Sequence, residues 1–350
     1  MIRVLQIGAG GFGAVWLHAL ATLRGDAELI GLVDHVPEIL EAAGDSAGVP
    51  ATARFTEIGA ALSADRADMA LVVVPPEAHR EVATACLQAG LPVLVEKPLA
   101  GRWDDCLALV ESARHAQREL AVSQNYRYRP VIETARTVLG SGRLGAIGQA
   151  HVQFWLHHDF RGTFREAMEH PLILDMAVHH FDLIRYVTGL EPRSVAAQTW
   201  NPPWSQFAGD ASANCTFTMD NGARVVYAAS WHPRGQMTDW NCVWRVEAER
   251  GYLVLDRDEV RVYEGDDPHR PGSADEEHTV PLIELAHSDQ AAVLMDFADA
   301  VRARRPAPTT ARDNLRSIEM VFAAAQAANT GAPVAINGVA QAGLGATPST

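Results

Sequence analysis

Ile2-Arg3-Val4-Leu5-Gln6-Ile7-Gly8-Ala9-Gly10-Gly11-Phe12-Gly13 is the stretch that decides the fold. A short apolar run ends in glycines spaced G-x-G-x-x-G, and a helix-like stretch follows from Ala14 to Leu23. A second apolar run, Glu28–Val33, ends at Asp34. Strand, glycine turn, helix, strand and acid in this order make a dinucleotide site, with the acid about 20 residues past the last glycine. Gly8 makes the tight turn, Gly10 lets the backbone approach a pyrophosphate, and Gly13 lets helix and strand pack closely. Free N–H groups at the helix start meet the phosphates. A carboxylate at Asp34 accepts from both ribose hydroxyls, which favours NAD. It repels a 2′-phosphate, and His35 beside it offsets part of that repulsion, so NADP stays open.

Working outward, strand and helix patterns keep alternating. Asp68–Val74 is apolar and β-branched and stops at Pro75-Pro76. A helix is expected over Glu77–Ala89, with Gly90 just past its end. Pro92–Val95 is the next strand and carries Glu96-Lys97-Pro98; a helix from Trp103 to Glu119 leads to a strand at Ala121–Ser123. Repeated strand–helix units imply right-handed crossovers and a parallel sheet. Ligands bind beyond the carboxyl ends of such strands, so Lys97 presents an ammonium at that rim. For His79, in the first turn after the prolines, a packing or capping role and a cofactor-side role are both open.

GAGGFG at 8–13, VVPPEAH at 73–79 and VLVEKPLA at 93–100 resemble the Gfo/Idh/MocA family of NAD(P)-dependent oxidoreductases. The resemblance spans nearly the whole chain up to a small, polar tail. It implies that Lys97 lies beside the nicotinamide and the reacting carbon. The cofactor contacts expected are Gly8, Gly10, Gly11, Phe12, Gly13, Asp34, His35, Pro75, His79, Glu96 and Lys97. The fold expected is an α/β Rossmann domain over 1–124 and an α+β domain over 125–337, built on a large, mainly antiparallel open sheet. Residues 338–350 are expected to form a mobile tail.

The second domain opens with Asn125-Tyr126-Arg127-Tyr128-Arg129-Pro130. The resemblance puts this junction at the rim of the substrate cleft, with Tyr126 and Arg127 facing substrate; a linker with solvated arginines is the plainer reading. His157-His158-Asp159 looks at first like a metal cluster, but neighbours on an extended chain point apart. A polar substrate loop carrying His157 and Arg165 is preferred, and no metal is expected. Leu172 to Arg185 reads as a helix in which Asp175 and His179 stand at i and i+4 on one face, with Asp182 three further on. An acid beside an imidazole fixes its tautomer and raises its basicity, although DxxxH is also an ordinary helix-surface pair. The resemblance makes Asp175 and His179 catalytic, together with Lys97, and leaves Asp182 open to a structural role. From Arg193 onward strand follows strand, split by turn signals such as Asp220-Asn221-Gly222. One face of that sheet packs on helices; the other meets solvent or a second copy, and the family commonly uses it for oligomers.

The 29 Lys+Arg against 43 Asp+Glu give a net charge of −14, which argues against nucleic acid and anionic membranes as partners. The four scattered cysteines form no CxxC pair and read as buried or idle thiols. The start lacks a signal-peptide pattern, and no apolar run approaches the ~18 residues of a membrane span; a cytoplasmic location is expected. The function expected is hydride transfer between NAD and a secondary alcohol of a sugar, sugar derivative or cyclitol, in a homo-dimer or homo-tetramer. Two rivals stand beside it: a glycosidase that oxidises its sugar transiently with NAD, and a non-catalytic NAD-binding regulator.

Overall fold

The computed structural model describes residues 1–64, 67–265, 272, 276–341 and 343. The expected tail and the acidic excursion at 264–278 fall largely outside the described residues. The chain divides into two compact units, Met1–Asn125 with Ala286–Leu315, and Tyr126–Leu285 with the remainder from Arg316.

In the first unit β1 (Ile2–Ile7), α1 (Phe12–Thr22), β2 (Ala27–Val33), α2 (Pro37–Ala47), β3 (Arg54–Phe55) and α3 (Ile58–Ser63) form one half of a Rossmann fold. β4 (Met69–Val72), α4 (His79–Gln88), β5 (Val93–Val95), α5 (Trp103–Ala116) and β6 (Leu120–Val122) form the other. The strand order is β3-β2-β1-β4-β5-β6, every pair parallel. β4, β5 and β6 are buried along their whole length, because helices cover both faces of a sheet built by crossovers. One register row, Val33–Ile7–Val72–Val95–Val122, crosses the sheet at its carboxyl edge. The next residue of each strand is therefore Asp34, Gly8, Val73, Glu96 and Ser123, so the alignment of strand ends brings the glycine turn, the acid and the Glu96-Lys97 turn to one rim.

The segment 286–315 belongs by its contacts to this unit, whereas the sequence reading drew 125–337 as one second domain. The β6 edge explains it. Val122 N–H donates to Thr309 O at 2.9 Å, and Ala121 bridges to Thr310, so the returning chain pairs an edge that would otherwise stay open.

The second unit carries α6 (Pro130–Gly140), β7 (Ile147–Trp155), α7 (Ala177–Thr188) and then β8 (Pro192–Trp200), β9 (Ser212–Met219) and β10 (Arg224–Ser230). β11 (Val243–Ala248), β12 (Gly251–Asp256), β13 (Glu259–Glu264), β14 (His278–Val280) and β15 (Val334–Ala335) complete a nine-stranded sheet. Its order is β14-β13-β12-β11-β7-β10-β9-β8-β15, antiparallel except for β7 beside β10. The helix α8 (Asp289–Ala303) lies in the first unit, and α9 (Ala311–Thr330) runs on into the second. Alternation along β7 and β8 sends Val152, Phe154, Val195 and Ala197 inward and leaves Gln153 and Gln198 outside. Phe181 of α7 meets the inner face edge-on, 4.8 Å from Phe217 and 5.2 Å from Tyr227.

α7 is buried on every face rather than along a stripe. An all-round buried helix must satisfy each polar group it carries. That requirement shapes the site below.

Candidate functional site

The rim of the first unit is built around the glycine turn. A Cβ on Gly8 would lie 2.1 Å from Val73 O, and φ there is +98°. One on Gly13 would lie 2.5 Å from Gly8 O. Both glycines are thus required by packing. Gly10 is different, because a Cβ there would meet only the Ile39 side chain at 3.4 Å. Protein packing does not require a glycine at 10, which fits close approach by a ligand. Gln6, a polar residue set in the apolar run of β1, secures the turn: its amide donates to Gly8 O at 2.8 Å and Gly13 O at 3.0 Å. No side chain caps the start of α1, which suits a phosphate at that position.

Asp34 is held in place by backbone. Its Oδ2 accepts from Ala9 N at 2.9 Å and its Oδ1 from Val36 N at 3.0 Å. Each oxygen keeps a second lone pair, so two ribose hydroxyls can still donate. His35 is exposed, its Nδ1 3.7 Å from Asp34 Oδ1. Phe12 and Pro75 stand exposed at the same rim.

Glu96 and His79 turn inward. Glu96 Oε1 accepts from the Trp16 indole N–H at 2.8 Å, and Oε2 accepts from the backbone N–H of Lys97, also at 2.8 Å. Burial raises the Glu96 pKa; the Lys97 ammonium and the indole N–H oppose that rise. His79 is fully buried, with Nδ1 at 2.9 Å from Pro98 O and 3.3 Å from Leu99 O, and Nε2 at 2.8 Å from Val74 O. Both ring nitrogens face carbonyl oxygens, and the neutral ring that burial favours donates to one side and rests against the other. Burial lowers its pKa, and the carbonyl contacts oppose the shift. Lys97, between these anchors, is half-buried.

In the second unit His179 is 6 % exposed and stacks on Tyr126, ring centroids 4.2 Å apart and planes within 9°. The Arg129 guanidinium covers the other face of Tyr126 at 3.4 Å. Asp175 lies in a π-helical turn, Leu172–Met176, where the sequence pattern had suggested regular α-helix. Such turns re-aim side chains and recur at functional sites. Its carboxylate accepts from Arg165 Nε at 2.6 Å and Nη2 at 3.2 Å, and Arg165 rests on Phe160 and Phe164.

Arg127, expected on the substrate side, is instead buried against an acid of α7. It is 7 % exposed and clasps Asp182 through two bonds of 2.6 Å. Ser317 Oγ donates to Asp182 Oδ1 at 2.7 Å and accepts from Arg185 Nη1 at 2.7 Å; Arg185 in turn holds Glu191. Asp182 is the buried partner of Arg127. The physical reason is the all-round burial of α7: an acid on its inner side needs a fixed cation.

His157 is exposed and pairs with buried His232, Nδ1 to Nδ1 at 3.2 Å. Gln206 N–H points at His232 Nε2 at 3.5 Å. The pair arises because β7 and β10 run parallel and end at Trp155 and Ser230 in register. His158 lies against Phe160 instead, at 4.6 Å. The described residues contain no group of three or more His, Cys, Asp or Glu able to hold a metal. The four cysteines are buried and free; burial pushes the thiols of Cys86, Cys106 and Cys215 up to about 12. Among the described residues no helix is long and apolar enough to cross a membrane.

Gln6, Trp16 and Arg129 escaped the sequence reading, which has His232 only as the end of a strand that could reach substrate. Only Gln6 left a signal, a lone amide in an apolar strand.

Comparison with known proteins agrees with this fold. Residues 2–124 match the model of an oxidoreductase family with an NAD-binding Rossmann fold, and 132–254 match the GFO/IDH/MocA C-terminal domain. An uncharacterised protein of Sinorhizobium fredii is 29% identical over 344 residues, 95% of each chain. A D-apiose dehydrogenase of Paraburkholderia graminis is 27% identical, over 94% of this chain and 88% of its own. In fold, the chain is like an oxidoreductase of Agrobacterium radiobacter solved with NAD+, L-tartaric acid and magnesium. That structure has a TM-score of 0.86 at 20% identity, covering 97% of this chain and 99% of that one.

Proposed function

Because the chain belongs to the GFO/IDH/MocA family of oxidoreductases, we propose that it moves a hydride between NAD and a secondary alcohol of a sugar, sugar derivative or cyclitol. One observation carries the reading. Of the chain's 29 basic residues, 28 are arginine, and the single lysine is Lys97. Arginine serves everywhere a fixed cation suffices. A compact ammonium with rotatable donors, able to give up its proton, stands only at the rim of the glycine turn.

Nicotinamide, when bound, supplies the hydride acceptor. Gly8–Gly13 and Asp34 hold the cofactor, and Asp34 selects NAD over NADP. Lys97 binds the alcohol oxygen and stabilises the alkoxide charge as the C–H bond breaks. His179 takes the hydroxyl proton: an imidazole starts near ~6.5 and a lysine near ~10.4, and a base works best near the operating pH. Asp175, steadied by Arg165, completes the acid–imidazole pair. Tyr126, His157 and Arg165 line the substrate side. The outer face of the nine-stranded sheet joins copies into a dimer or tetramer in the cytoplasm, a state that light scattering would read.

The test is a panel of sugars, cyclitols and glycosides with NAD and with NADP, following reduced cofactor and product together. Net NADH with Lys97→Met and His179→Ala each down roughly 10²–10⁴-fold supports the reading. Glycoside turnover with no net NADH would replace it with the redox glycosidase. Full activity in both variants would end it.

A further inference from the structure

We propose that Trp16 and His79 are positioning residues for Lys97, two buried polar clamps that hold the short turn carrying it from either flank. The inference rests on the proposed role of Lys97 and goes beyond it.

The first clamp acts before Lys97. Trp16 is fully buried, and its indole N–H reaches Glu96 Oε1 at 2.8 Å, while Glu96 Oε2 takes the Lys97 N–H at 2.8 Å. One carboxylate thus bridges α1 to the first peptide of the turn. A backbone carbonyl or an amide would satisfy a buried indole at less desolvation cost than a carboxylate. What the carboxylate adds is its second oxygen, spent on Lys97 itself. The second clamp acts after Lys97. His79 sits with Nδ1 at 2.9 Å from Pro98 O and Nε2 at 2.8 Å from Val74 O; the neutral ring donates to one of these carbonyls and packs against the other, and so spans the Lys97 turn and the turn after β4.

The residues on both sides of Lys97 are therefore fixed, although its own stem has four flexible carbons. α1 is also the helix that starts at the glycine turn. The helix expected to meet the cofactor phosphates and the turn expected to meet its reactive ring are fastened through Trp16 and Glu96. A general stabilising role would not require the two clamps to close on the same three residues.

A single lysine makes the test direct. Reductive methylation with 13C-formaldehyde labels only Lys97 and the amino terminus. In the full chain, the Lys97 signal is expected to be a single sharp line that shifts when NAD is added. In Trp16→Phe and in His79→Leu it broadens or splits, its NAD shift falls at least twofold, and kcat of the unlabelled variant falls at least tenfold while KM for NAD changes less than threefold. Leu109→Ala weakens the same unit at a site away from the turn, and keeps the wild-type signal. Should Trp16→Phe fold poorly, Glu96→Gln carries the same expectation. Wild-type signals and NAD shifts in the clamp variants would overturn the proposal. A wild-type Lys97 line that ignores NAD would instead overturn the placement of Lys97 at the cofactor, and the clamps with it.

Discussion

Replacing Arg127 by Met separates the structural account of that residue from the substrate-facing one. In the folded protein its Nε and Nη2 each donate to an Asp182 oxygen at 2.6 Å, with side chains 7% and 1% exposed. Removing the guanidinium strands a carboxylate inside α7, where the Ser317 hydroxyl at 2.7 Å is its remaining short bond. Breaking a buried pair from one side costs about 3–5 kcal/mol. At roughly 2–4 °C per kcal/mol for a unit of this size, the melting temperature should fall by roughly 6–20 °C. Differential scanning calorimetry reads the fall, and kcat/KM at a temperature where both proteins are folded should stay within about threefold. Arg127→Met with Asp182→Leu should recover at least half of the loss, since an apolar pair of similar volume replaces a buried ion pair at little cost. An Arg127→Met protein that melts like wild type but has a KM raised tenfold would refute the reasoning and return Arg127 to the substrate.

Gly8→Ala and Gly10→Ala should part company: the first sets a Cβ 2.1 Å from Val73 O and should unfold or strongly destabilise the first unit, while the second meets only Ile39 at 3.4 Å. Gly10→Ala should keep its melting temperature within a few degrees and lose NADH affinity at least tenfold by titration calorimetry. Asp34→Ser, which removes the carboxylate fixed by Ala9 and Val36, should weaken NADH binding and strengthen NADPH binding, read as the ratio of the two dissociation constants. Stability should fall in acid partly through His79, whose folded pKa burial lowers. The unfolded ring, near ~6.5, binds a proton that the folded ring resists. The contribution is therefore whole above that value and is lost as pH drops toward the folded pKa. Melting curves between pH 7.5 and 5 should slope downward, and His79→Leu, though less stable throughout, should slope less.

The first unit was legible because its signals are local. Gly8, Gly10, Gly13 and Asp34 lie within one strand–helix–strand unit, and one register row delivers Asp34, Gly8 and Glu96 to the same rim. The hairpins of the second sheet were legible through turns such as Asp220-Asn221-Gly222, where Gly222 has φ +88°. What the sequence hid depends on long-range pairing. β7 sits between β11 and β10, strands far along the chain, so nothing near residue 157 announces His232. Arg127 reads as a solvated or substrate-facing cation until α7 is seen to be buried all round. The π turn at 172–176 replaces regular α-helix around Asp175, a change that hydrophobic periodicity does not record. The return of 286–315 to the β6 edge is invisible for the same reason: a lone bridge at Ala121 and Thr310 has no pattern.

The most direct test of the central claim is a crystal structure of the protein with NADH and the alcohol or ketone that the substrate panel identifies. One substrate oxygen should lie within about 3.2 Å of both Lys97 Nζ and a ring nitrogen of His179, with its carbon against nicotinamide C4. A substrate oxygen that touches neither group, or a nicotinamide ring turned away from Lys97, would contradict the account.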